Sequence, residues 1–227
     1  MKRRSSRCAR VFVAAALCAL LAAPGAGAAT IGSPLVGREI RDYNIGGLFV
    51  YDLLLVPVGS QVVSWGFYSL DTPNPRSTSG LNNLITPLLF ANTSGNNFEI
   101  IGIGTTQTNA NTGAQYFSFG LTYGSNIVGS NTYFGWRDGN ISGSIVNDGS
   151  IELDYSGGPG LLYYPTNAPT TFSGAIAPGQ VYQFTDNTTT GRTYSVEVTT
   201  APIPEPASML LFGTGLIGLG AWRRRRR

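Results

Sequence analysis

Two carboxylates stand two residues apart at Glu152 and Asp154. On a strand this spacing puts both side chains on one face, about 7 Å apart. A pair of acids at that distance could flank a glycosidic bond, given a pocket to hold the sugar. Two oxygen-rich turns come just before them, Asp138-Gly139-Asn140 and Asn147-Asp148-Gly149. Together Asp138, Asp148, Glu152 and Asp154 form a candidate calcium set, although the spacing is not that of an EF-hand loop. Asx-Gly turns also arise for conformational reasons alone, and paired acids are commonly a solvated strand face. A third chemistry is stacking on sugar rings, for which Trp65, Tyr133 and Trp136 are the candidates. The last two fall in Tyr133-Phe134-Gly135-Trp136-Arg137-Asp138-Gly139, where a strand end is expected to meet a turn; core packing is the alternative for all three.

Other chemistries are excluded by composition. The 227-residue chain has no His, its one Lys is Lys2, and its two cysteines are Cys8 and Cys18. A Ser-His-Asp triad is therefore impossible, as is a zinc site built on His and Cys once the front end is removed. We expect no enzyme and no cofactor.

The front end, Met1 to Ala28, has the anatomy of a secretory signal peptide. Lys2, Arg3, Arg4, Arg7 and Arg10 form a basic region, Val11 to Ala23 an apolar one, and Ala26-Gly27-Ala28 an A-x-A cleavage site. Both cysteines leave with it, so the mature domain must stand without disulfides.

The other end carries a second apolar segment. Ala207 to Trp222 holds no charged residue and as a helix would extend about 24 Å. That is just short of the roughly 30 Å hydrocarbon core, and the basic run Arg223, Arg224, Arg225, Arg226 and Arg227 can snorkel to make up part of the difference. The same arginines set orientation, because such clusters stay on the cytoplasmic side. Upstream, Pro202, Pro204 and Pro206 alternate with Ile203 and Glu205, which favours an extended, exposed backbone with one charged handle.

Pro204, Glu205 and Pro206, followed by an apolar span and terminal arginines, resemble the PEP-CTERM sorting signal of Gram-negative bacteria. The resemblance implies recognition of these three residues by exosortase, a membrane-embedded cysteine transpeptidase. It also implies export through the secretion machinery, membrane attachment during sorting, and an envelope or extracellular destination after the tail is cut. It covers only the last 25 or so residues and implies nothing about the domain before them.

Removing both ends reverses the charge. The formal +3 of the whole chain becomes −7 for residues 29–222, where five arginines face twelve acids. An acidic domain of this kind lacks the basic surface that nucleic-acid binding requires. Its richness in Gly, Asn, Ser, Thr, Tyr and Phe suits short strands joined by tight turns.

Strands are expected at 40–45, 48–58, 61–70, 84–91 (as an edge or bulged strand, because of Pro87), 98–106, 114–123, 127–136, 141–146, 151–155, 161–164, 180–185 and 192–199. This pattern argues for an all-β fold, an antiparallel β-sandwich of jelly-roll type, followed by a C-terminal transmembrane helix. The expected organisation is a signal peptide (1–28), the sandwich (29–200), a Pro-rich linker bearing the motif (201–206), the membrane helix (207–222) and a basic cytoplasmic stop (223–227). For function, the sequence points to a structural or adhesive protein of an exopolysaccharide layer. A carbohydrate-binding module, with or without calcium, is the alternative.

Overall fold

The computed structural model describes residues 27–38, 40–41, 47–69, 83–109, 111–139, 142, 151–154, 162–165, 174–186, 193–203 and 213–215. In chain order its strands are β1 (Ala29–Gly32), β2 (Ile40–Arg41), β3 (Leu48–Leu55), β4 (Ser60–Ser69), β5 (Asn83–Ser94), β6 (Asn97–Gly104), β7 (Gln107–Asn109), β8 (Gly113–Ser118), β9 (Leu121–Gly124), β10 (Thr132–Asp138), β11 (Glu152–Asp154), β12 (Leu162–Pro165), β13 (Val181–Asp186), β14 (Thr193–Tyr194) and β15 (Val196–Pro202). Their pairings are antiparallel throughout, and among the described residues only 213–215 are helical.

The strands form a four-stranded sheet in the order β1-β15-β4-β8 and an eight-stranded sheet in the order β7-β5-β10-β3-β12-β13-β6-β9. A small third sheet has the order β14-β11-β2. The large sheet closes on itself, because β5 pairs with β10 on one side and with β6 on the other. Bulges make this closure possible, since an extra residue on one strand sharpens the bend and twist. Leu89 lies opposite Gly102 and Phe90 opposite Ile100, which leaves Ile101 as the extra residue of β6. The all-β expectation and the sandwich therefore hold in outline. The strand order, however, is not the four-and-four arrangement of a jelly roll.

Alternation on the shared strands sorts the apolar side chains into two cores. Leu48 and Val50 of β3, Leu88 and Phe90 of β5, Ile100 of β6 and Phe184 of β13 fill the inside of the closed sheet. The intervening residues Phe49 and Tyr51, Ile85 and Leu89, and Phe134 and Trp136 face the other way. There they meet Val62, Trp65 and Phe67 of β4 and Val196 and Val198 of β15. This second core is the sandwich proper.

Several expected boundaries moved for identifiable reasons. Pro87 does not sit on an edge strand; β5 is internal. Residues 86 and 87 fall in the gap between the β7 ladder (Asn83–Ile85) and the β6 ladder (from Leu88), so on that side no pairing is interrupted. The single strand expected over 114–123 is two strands in different sheets. The chain crosses between them at Phe119-Gly120, where Phe119 N–H donates to Val63 O (2.9 Å) and Thr105 N–H donates to Gly120 O (2.6 Å). Arg137 and Asp138, expected in a turn, are the last two residues of β10. The strands β1 and β7 were not foreseen. The strand expected at 141–146 lies outside the described residues except for Ser142, which is in a turn.

Gly135 shows how closely the walls approach. It lies opposite Val50 of β3, and a Cβ built there would collide with the carbonyl oxygen of Phe49 and come within 2.7 Å of the Phe90 ring. Gly129 has open space around the same position. Gly135→Ala is expected to cost about 3 kcal/mol, a fall in Tm of about 6–12 °C for a domain of this size. Gly129→Ala should melt within a degree or so of the parent by thermal denaturation. Equal melting of the two variants would show that the approach of β10 to β3 is misplaced.

Candidate functional site

The start of β1 and the end of β15 meet at one pole of the sandwich. β15 runs between β1 and β4, and its last residues lie beside the start of both neighbours, with Ala29 opposite Thr200 and Pro202 opposite Ser60. The Thr200 hydroxyl donates to Ala29 O (3.2 Å), and Ile203 N–H donates to Gly59 O (2.9 Å). Ala29 is the first residue after the A-x-A site, so strand structure begins where the mature chain is expected to begin. Pro204 follows the last of these hydrogen bonds directly. The closing strand thus runs on through Pro202, and residues 201 and 202, expected as linker, belong to the sheet.

The residues around this pole are held by short local bonds. The turn between β3 and β4 is closed by Ser60, whose N–H (3.2 Å) and hydroxyl (2.5 Å) both donate to Pro57 O. On the far side of β4, Asn126 acts as a side-chain strand for Val62. Its Oδ1 accepts from Val62 N–H (3.0 Å) and its Nδ2 donates to Val62 O (2.7 Å). Ile127 then bridges Gln61. A bulge at Val63 in the β4–β15 ladder releases β4 locally for these contacts.

The sorting residues Pro204, Glu205 and Pro206, the basic run Arg223 to Arg227, and Asp148 lie outside the described residues. So does the 207–222 span apart from 213–215, and no helix among the described residues is long and apolar enough to cross a membrane.

The structure reassigns the aromatic candidates. Trp65 is 1% exposed, with ring centroids 5.5 Å from Phe67, 5.4 Å from Phe117 and 5.8 Å from Phe134. Trp136 is equally buried, stacked on Phe49 at 5.4 Å and edge-on to Tyr194 at 5.2 Å. Neither face is open to a sugar, so neither is a carbohydrate contact; the alternation that exposed them on paper points them into the second core. Tyr133 is half-buried and edge-on to Phe98 at 5.8 Å. Among the described residues the exposed large aromatic side chains are Tyr116 of β8 and Tyr123 of β9, at 62% and 54%.

The carboxylate candidates are spread over two sheets. Asp138 ends β10 of the large sheet and is buried, whereas Glu152 and Asp154 lie on β11 of the small one, opposite Arg41 and Thr193 in the backbone register. Among the described residues no three of His, Cys, Asp and Glu come together. Arg137 shares its face of β10 with Tyr133 and is fully buried. Loss of hydration lowers its pKa, partly offset by the Tyr182 phenol, while burial raises that of Tyr182. Burial likewise raises the pKa of Tyr51, against the lowering effect of hydrogen bonds involving Ser33 and the Tyr194 backbone.

With the geometry in place, the comparisons bear on one end only. Residues 202–226 match the family described as the PEP-CTERM protein-sorting motif. The match begins at the last residue of β15 and leaves the chain before Pro202 outside it. No curated protein and no solved structure matches the chain. The motif makes this an exported protein, processed by exosortase at the membrane and bound for the envelope or the extracellular side.

The junction itself had no sequence signal beyond the prolines, because Ala29, Gly59 and Ser60 are ordinary residues brought to it by pairing. Ending the mature chain at Thr199 instead of Ile203 removes the ladder to Ser60–Val62 and the bond to Gly59. At about 1 kcal/mol for each net hydrogen bond, Tm should fall by several degrees. Equal melting of chains 29–199 and 29–203 would mean that the strand stops short of the sorting motif.

Proposed function

We propose that the chain is a non-enzymatic structural or adhesive protein of an exopolysaccharide layer, placed there by exosortase. The observation that carries this reading is the continuity of fold and signal: the sorting match starts inside the last strand, with no separate linker or second domain between them. The sequence between the two processing sites offers neither His, Cys nor Lys. Its two large buried indoles are spent on packing. Adhesion would then draw on Tyr116, Tyr123 and the polar strands around them, through many weak contacts with a polymer.

The test is made in the native host, comparing the parent, a deletion of the gene and Glu205→Ala. The deletion should lower the cell-associated polysaccharide and loosen the layer. Glu205→Ala should reproduce that loss, with the protein held as a larger, membrane-bound form. A deletion strain with an unchanged layer would remove the structural role. Polysaccharide shortened in a domain-dependent way would replace it with an enzymatic one.

A further inference from the structure

The pole at which both ends emerge carries exposed apolar side chains. Val58, at the tip of the β3–β4 turn, is 70% exposed, Ile127 beside Gln61 is 65% exposed, and Leu55 at the end of β3 is 48% exposed. Ile203 lies half-buried next to Gly59. The stretches that meet at this pole, residues 53–63, 125–133 and 198–203, contain no charged residue. An apolar, uncharged surface is not required by the core, which is filled by other side chains. It calls for an occupant.

The chain length identifies one. From Ile203 to Ala207, the first residue of the apolar span, four residues reach at most about 14 Å. A domain of this size has a radius of gyration of about 16 Å. The tether is thus shorter than the body it holds, and the domain cannot turn another pole towards whatever holds the span. At the other end of the same pole, Ala29 directly follows the signal peptide, so both apolar segments leave from one place.

We infer that this pole, through Val58, Ile127 and Leu55, seats on the phospholipid surface of the membrane until exosortase removes the tail. The inference rests on the reading of 207–222 as membrane-inserted. Seating would hold Pro204-Glu205-Pro206 at the lipid–water boundary, where a membrane-embedded transpeptidase can reach it. Cutting the tail removes the tether, and a few exposed apolar side chains are too weak an anchor alone, so the domain is released.

The experiment uses the full chain with Cys8→Ser and Cys18→Ser, reconstituted in phosphatidylethanolamine–phosphatidylglycerol vesicles. Single cysteines carrying a polarity-sensitive fluorophore are placed by Val58→Cys, Ile127→Cys, Leu211→Cys and Thr112→Cys. Thr112 is exposed at the opposite pole, beside the Gly113–Ser69 pairing. Spin-labelled lipid headgroups should quench the probes at Val58 and Ile127 several-fold more than the one at Thr112, and the probe at Leu211 should shift to the blue as in lipid. If Leu211 reports lipid while Val58 and Ile127 are quenched no more than Thr112, the seating is wrong and the inserted tail stands. An aqueous signal at Leu211 overturns both. Shielding at Val58 that depends on protein concentration, without headgroup quenching, assigns the pole to a second copy of the chain instead.

Discussion

The antiparallel pairing of β15 between β1 and β4 is the interaction on which the rest of the fold depends. It places Val196 and Val198 in the sandwich core against Trp65 and Phe67, and it carries the whole of β1, a strand of four residues with no other neighbour in its sheet. It also joins residues about 170 positions apart, such as Ala29 and Thr200. Contacts this distant in sequence form late, because loop closure must precede their reward. The four-stranded sheet therefore cannot be completed until the last strand has been exported, when only the tail remains behind. Folding and sorting share the same short stretch of chain.

The second constraint is stability without covalent help. The chain's two cysteines, Cys8 and Cys18, precede the described domain, which therefore relies on burial, and its aromatic residues supply it. Trp65, Phe67, Phe117 and Phe134 form one connected set of rings, and Phe49, Trp136, Tyr194 and Tyr51 another. Such pairs add about 0.5–1.5 kcal/mol beyond the area they bury. One cost is visible: the buried indole N–H of Trp65 has no hydrogen-bond partner among the described residues. An acidic, lysine-free composition over a core of this kind suits an exported protein that must stay dispersed.

Local pattern carried far, and long-range pairing was where it stopped. Alternation located β4 and β15, although the bulge at Val63 puts Val62, not Val63, on the buried face with Trp65 and Phe67, and the sorting motif was legible residue by residue. Closure of the large sheet was not, because it turns on the extra residue Ile101 and on a strand, β5, long enough to serve two partners. The run 114–123 alternates without a break, yet it changes sheets at Gly120. A Cβ there would come within 2.7 Å of Thr105 Oγ1, a contact no local pattern reveals. Alternation also says which residues share a face without saying which face is covered. That is why Trp65 and Trp136 could be taken for surface platforms, while Tyr116, Tyr123, Val58 and Ile127 went unmarked.

Fold and signal together describe a domain whose first strand begins beside the end of its last, although the two lie at opposite ends of the sequence. Export, folding and release then become consequences of one geometry, with the pole of β15 facing the membrane until the tail is cut. The most direct test is the intact mass of the mature protein isolated from outside the inner membrane of its own host. The account predicts a chain that starts at Ala29 and ends before Ala207. A mature chain that still contains residues 207–227 would contradict it.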